Sequence, residues 1–183
     1  MLFTRTVRRT RPPRPTARPV PAWARTAAQL AALAPVASSL WRLPLAFGVS
    51  MGMDAELMAD MMSHPFWQRL GYLAGLGALT DGLAFLTLGL VSGWGETWPR
   101  WIPVLGGRSV PLAAALVPAV VGGVAATTLF TAMAFMWNGN MLYGYTGWAI
   151  LQTCCYAPLL IWGPIVLVVA AHYYRRRTQS SVA

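Results

Sequence analysis

No lysine occurs in this sequence, and only five carboxylates stand against its fourteen basic residues, all of them arginine. Charged residues make up 10% of the 183-residue chain, where a soluble domain carries roughly a quarter. Hydrophobic residues make up 56% of it and the mean hydropathy is +0.50, a balance that excludes an ordinary water-soluble domain. Cysteine is almost as scarce. Cys154 and Cys155 are adjacent, so a bridge between them is strained and there is no disulfide framework; they read as small apolar residues. Histidine is limited to His64 and His172. Without lysine there is no G-x-x-x-x-G-K-[ST], and H-E-x-x-H, C-x-x-C and a G-x-G-x-x-G fingerprint are missing as well. Nucleotide binding, zinc-peptidase chemistry and dithiol chemistry are therefore left without a motif. The reading leans away from an enzyme, and no cofactor is expected.

What the chain has in quantity is long apolar runs. Four are of a length to cross a hydrocarbon core of roughly 30 Å, and they fall at about 26–51, 70–91, 110–137 and 148–171. The second, about 22 residues at 1.5 Å each, reaches about 33 Å. Pro35, Arg42 and Pro44 interrupt the first run, and Pro118, Pro158 and Pro164 read as bends in the last two. The expected fold is all-α, a four-helix transmembrane bundle occupying residues 26–177, with a polar tail at 178–183 and a disordered cationic arm at 1–25. In that arm Arg5, Arg8, Arg9, Arg11, Arg14, Arg18 and Arg25 alternate with prolines, so like-charge repulsion and missing amide donors oppose packing. Arg8-Arg9 lacks the apolar pair of a twin-arginine signal. A secretory reading of Ala27 to Ala37 competes with the apolar stretch that resumes at Leu43 and runs to Met51, long enough together to span.

Arginine used to the exclusion of lysine fits the coding bias of a high-GC bacterial genome. The positive-inside rule then gives a multi-pass protein of the bacterial cytoplasmic membrane with both termini in the cytoplasm. The arm, Arg100, Arg108 and Arg175 to Arg177 fall on the inner side, and Asp54, Glu56 and Asp60 on the outer. The expected partners are the lipid bilayer, anionic headgroups gathered by the arm at about 1 kcal/mol per arginine, and another membrane protein or a second copy. No folded nucleic-acid reader accompanies the arm.

The loop between the second and third runs reads WGETWPRWIPVLGGRSVP, residues 94 to 111. Trp94, Trp98 and Trp101 suit the headgroup layer, Pro99, Pro103 and Gly106-Gly107 break any continuous helix, and Glu96 and Arg100 are spaced to pair over one turn. The loop is expected to lie along the interface. Arg100, Arg108 and the Gly106 and Gly107 amides form a candidate phosphate or lipid-headgroup contact, because glycines allow close approach and guanidinium forks match phosphate oxygens. The pattern W-G-x-x-x-P-R-W-x-P-x-x-G-G-R-x-V-P, after a helix ending L-T-L-G-L-V, resembles the loop of a family of uncharacterised bacterial four-helix integral membrane proteins. The matching residues are Trp94, Gly95, Pro99, Arg100, Trp101, Pro103, Gly106, Gly107, Arg108, Val110 and Pro111. That resemblance extends from about Trp41 to the third span; it implies a topology and no activity.

Inside the membrane, Asp81 costs on the order of 2.5–3.5 kcal/mol on insertion scales and is a candidate functional group, and Arg42 has the same difficulty. Arg42 lies about 12 Å and Asp81 about 16 Å below the outer surface, within reach of one another, so a buried ion pair joining the first two spans is expected. Gly71, Gly75, Ala78, Gly82 and Gly89 form a small-residue stripe suited to close helix packing. Near the outer surface Glu56, Asp60 and His64 recur every four residues beside Met51, Met53, Met58, Met61 and Met62. That set is either a soft-metal site, with thioethers suited to Cu(I), or a short amphipathic helix with methionines down and charges up, and the second reading is preferred. Three functions follow: a structural or assembly subunit first, then a small proton-coupled carrier using Asp81, then copper handling on the outer face.

Overall fold

The computed structural model describes residues 19–98, 106–136 and 146–179. Six α-helices follow in order: α1 (Ala22–Leu33), α2 (Val36–Ala46), α3 (Ala55–Ser63), α4 (Phe66–Leu86), α5 (Leu112–Met136) and α6 (Thr146–Gln179). Two 3₁₀ turns, Thr87–Val91 and Gly93–Gly95, continue α4. No β-strand occurs among the described residues. The chain is an all-α bundle, as its composition requires.

Among the described residues three stretches are long and apolar enough to cross a membrane singly: Phe66–Val91, Leu112–Met136 and Gly147–Gln179. They correspond to the second, third and fourth expected spans. The first is divided. Pro35 has no amide to give, so α1 ends with Ala34 N–H on Leu30 O (3.0 Å) and the helix restarts with Ser39 N–H on Pro35 O (2.9 Å). Ala34 and Pro35 stay near right-handed helical dihedrals, and α2 follows α1 as a kinked continuation. Trp23 of α1 meets the His172 ring at 5.0 Å, and Trp41 of α2 meets Trp148 at 5.9 Å. The two short helices together therefore run antiparallel along nearly all of α6, end to end.

Two expected boundaries move. The segment 22–25, assigned to the cationic arm, is the first turn of α1, with Ala24 buried. Residues 1–18 lie outside the described residues. At the other end α6 continues through Arg175–Arg177 to Gln179, so the polar tail begins later than 178, and His172 and Tyr173 are interior helix positions.

α6 is the central element: α5 packs on it from one side and α1 and α2 from the other, while α4 lies against α1 and α2. Buried residues follow α6 along its length. Trp148, Cys155 and Tyr156 pack on the Trp41, Leu45 and Leu73 cluster, Leu159, Trp162 and Val166 on Ala31, Ala84 and Ala126, and Val169, Ala170 and Tyr173 on Ala28 and Leu90. Close approach between helices falls at Gly163 and Gly123 in the α5–α6 seam and at Gly77 between α2 and α4. A Cβ on Gly163 would collide with the backbone and hydroxyl of Thr127 on α5, and one on Gly77 would press on Ser39 of α2. The expected stripe is not a seam: Gly71, Gly75 and Gly82 have open space where a side chain would be, and Gly89 covers the Trp94 ring.

Replacing Gly163 by valine is expected to lower stability by about 1–3 kcal/mol or more through overpacking, whereas Gly75→Ala is expected to stay within about 0.5 kcal/mol of the parent. Thermal unfolding of the two variants in detergent distinguishes these positions; equal effects would mean that the α5–α6 contact is looser than described.

Candidate functional site

The loop after α4 is a folded clamp. Trp94 stacks on Phe85 (6.0 Å between centroids, 11° between planes) and lies over Gly89. Gly95 has the carbonyl of Gly89 where a Cβ would stand, so the turn closes only with glycine there. The two arms of the loop then pair. Val110 N–H donates to Glu96 O (2.8 Å), Trp98 N–H to Arg108 O (2.9 Å) and Gly107 N–H to Trp98 O (2.9 Å), around an antiparallel bridge between Thr97 and Ser109. Gly107 has φ +77°, left-handed backbone that a side chain disfavours.

The last two turns of α6 hold this loop from beneath. Tyr173, fully buried, donates its hydroxyl to Gly95 O (3.0 Å). Arg176, 6% exposed, donates to the Glu96 carboxylate (2.8 Å) and to Leu90 O (3.2 Å). Arg177 donates to Val110 O (2.9 Å). Both guanidiniums sit over the Tyr173 ring, at 5.7 and 5.8 Å. Carbonyls of an irregular backbone at a membrane edge thus receive donors from the chain itself.

These contacts change the reading of the loop. The carboxylate of Glu96 is engaged by Arg176, eighty positions along the chain, and not through the expected i,i+4 pairing; Arg100 lies outside the described residues. The amide of Gly107 is turned inward to Trp98 and is not presented to a phosphate, while Gly106 and Arg108 are exposed. Of the candidate headgroup set, Arg108 and Gly106 stay accessible together at the turn.

Arg42 and Asp81 do not meet. Asp81 accepts from the Ser39 hydroxyl (3.0 Å), across the seam that Gly77 opens between α2 and α4. Arg42 lies three residues further along α2 and is turned toward α6, where its Nε donates to the Tyr156 hydroxyl (3.1 Å) and its guanidinium stands 5.6 Å from that ring. Arg42 Nη1 is buried with no hydrogen-bond partner. The two charges stand at compatible heights, but α2 touches both α4 and α6, and Asp81 is taken by the Ser39 hydroxyl while Arg42 is taken by Tyr156. The contacts of Tyr156, Tyr173 and Arg176 were not expected from the sequence, which placed Arg176 by its charge alone; a tyrosine in mid-span was the available signal for Tyr156.

At the opposite end of the bundle α3 is capped by Asp54, which accepts from Glu56 N–H (3.1 Å) and Leu57 N–H (3.4 Å). Glu56, Asp60 and His64 are exposed and Met58, Met61 and Met62 half-buried, the arrangement of an amphipathic helix. Met51 is buried with Trp41 and Leu45, and Met53 packs beside it. The thioethers of Met51 and Met53 therefore face the core while the candidate carboxylates and imidazole face outward. No group of three or more His, Cys, Asp or Glu able to hold a metal occurs among the described residues. The string Gly48-Val49-Ser50-Met51-Gly52 matches G-x-S-x-G, yet it links two helices where a nucleophile elbow follows a strand, and its left-handed residues are Gly48, Met51 and Gly52, not the serine.

No family model, curated protein or solved structure matches this chain. The resemblance of the 94–111 loop thus rests on the loop residues alone.

Removing one partner of a buried ion pair costs about 3–5 kcal/mol, so Arg176→Met is expected to lower stability by several kcal/mol in detergent. In a double-mutant cycle with Glu96→Gln the two losses are expected to fall short of additivity by about 0.5–3 kcal/mol. Strict additivity would show that the pair does not act as a unit.

Proposed function

We propose that this protein is a structural or assembly subunit of a bacterial cytoplasmic membrane that associates laterally with another membrane protein or a second copy of itself. The observation that carries the reading is α5. Only 6% of its most apolar window is buried within the chain, against 28% for α4 and 33% for α6. Val117, Val121, Val124 and Leu129 stand exposed along it. An apolar helix held on one side by α6 offers its other sides to lipid or to a partner helix. The polar groups within the membrane support a scaffold role, because Asp81 and Arg42 are engaged by Ser39 and Tyr156 of the same chain.

The cytoplasmic placement of the termini is supported by charge. Arg25, Arg108 and Arg175–Arg177 gather at the end where the clamp lies, and Asp54, Glu56 and Asp60 at the other. A photo-crosslinking residue at Val121 is expected to give a discrete protein adduct in cells, and one at Leu79 of α4, equally exposed, to give none. Adducts with lipid alone at both positions would end the proposal.

One observation favours a second reading, a small proton-coupled carrier. Asp81 is held by one hydroxyl, three residues along α2 from a guanidinium nitrogen that is buried without a partner. A carboxylate moving between Ser39 and Arg42 is a short displacement that protonation would drive. Uptake into proteoliposomes is expected to be lost in Asp81→Asn on this reading, and uptake unchanged by that substitution would remove its basis.

A further inference from the structure

Although α4 and α5 follow one another in the chain, they do not pack into a common seam, because α5 leans on α6 and α4 on α1 and α2. Between them a groove of about 420 Å³ opens, with Leu83 and Leu90 on one wall, Gly122 on the other and Trp162 of α6 as its floor. Trp98 and Val110 of the clamp close its basic end. Its α5 wall runs from Ala114 to Ala126, about 18 Å of helix, against about 15 Å for one leaflet of a hydrocarbon core.

We propose that this groove holds one acyl chain of an anionic phospholipid from the leaflet on the clamp side. Length and lining point to the occupant: Leu83, Leu90, Gly122 and Trp162 offer apolar contact over about the depth of one leaflet, which suits an extended alkyl chain. The charge at its mouth selects the headgroup. Arg177 donates to the carbonyl of Val110, and the Arg108 backbone carbonyl accepts from Trp98 N–H, so one guanidinium is held beside a residue that closes the groove and the other is carried, exposed, on the turn next to it. Glu96, the acid at this end among the described residues, is engaged by Arg176 and does not offset them. A phosphate at the mouth meets the exposed Arg108 while its tail lies against Leu90, Gly122 and Trp162. The assignment depends on the membrane placement of the bundle and not on a partner for α5.

Native mass spectrometry of the full chain in mild detergent, with phosphatidylglycerol or phosphatidylcholine added at equal concentration, tests it. The parent is expected to retain one phosphatidylglycerol per chain with about tenfold preference. Gly122→Phe, which fills the groove, is expected to reduce retention of both lipids about tenfold, and Ala113→Phe, outside the lining, to leave it unchanged. Arg108→Gln is expected to bring the preference down to about twofold while the chain still binds. Circular dichroism and the thermal midpoint establish that each variant is folded. The proposal is overturned if folded Gly122→Phe retains lipid as the parent does, if the parent binds both lipids equally, or if Gly122→Phe instead disrupts a dimer or releases a co-purifying protein.

Discussion

Carbonyl groups of an irregular backbone at a membrane edge need donors, and in this chain three that its own amides do not serve, at Leu90, Gly95 and Val110, take side-chain donors from one helix. Leu90, Gly95 and Val110 belong to a stretch that has left α-helical geometry, and each accepts from a side chain of the last turns of α6. The same helix supplies the Tyr156 hydroxyl to Arg42. Hydrocarbon offers no competing partner, so such bonds determine where a non-helical segment can be placed. Glu96 adds a charge that only a buried guanidinium can balance, and Arg176 is close enough to both the carboxylate and the Leu90 carbonyl to serve them together.

With α6 as the common support, the arrangement of the other helices follows. α1 and α2 need a long partner because neither crosses alone, and α6 gives them one from the Trp23–His172 contact to the Trp41–Trp148 contact. Gly163 draws α5 to the opposite side of α6 by admitting the Thr127 backbone. α4 is then left to pack on α1 and α2 through Gly77 and Ser39. The separation of α4 from α5 is the geometric result, and both the groove and the open sides of α5 derive from it.

The class of the fold was legible because hydrophobic length is a strong constraint: a run such as 112–136 has no other stable environment. The amphipathic helix α3 was legible too, since charges four residues apart share a face, and Glu56 and Asp60 are both exposed, with His64 exposed just past the helix end. Boundaries were less so. Pro35 was visible as an interruption, but whether a proline kinks a crossing or divides it depends on the helix alongside. The segment 22–25 reads as arm by charge and is helix because Ala24 and Ala28 find α6 to bury against. Pairings were least legible. Arg42 and Asp81 shared a depth but not an azimuth, and the glycine stripe had a spacing but no neighbour. Spacing in one helix specifies a face; only the partner specifies what that face touches.

The clamp has a consequence for how the chain comes into being. Tyr173 lies 78 positions beyond the Gly95 carbonyl that it serves. At a synthesis rate of about 5–20 residues per second, the earlier segment exists for about 4–16 s before its donors are made. During that interval its carbonyls need water or other donors. Maturation of this protein is therefore completed from its carboxyl end, by arrival of the side chains that replace them.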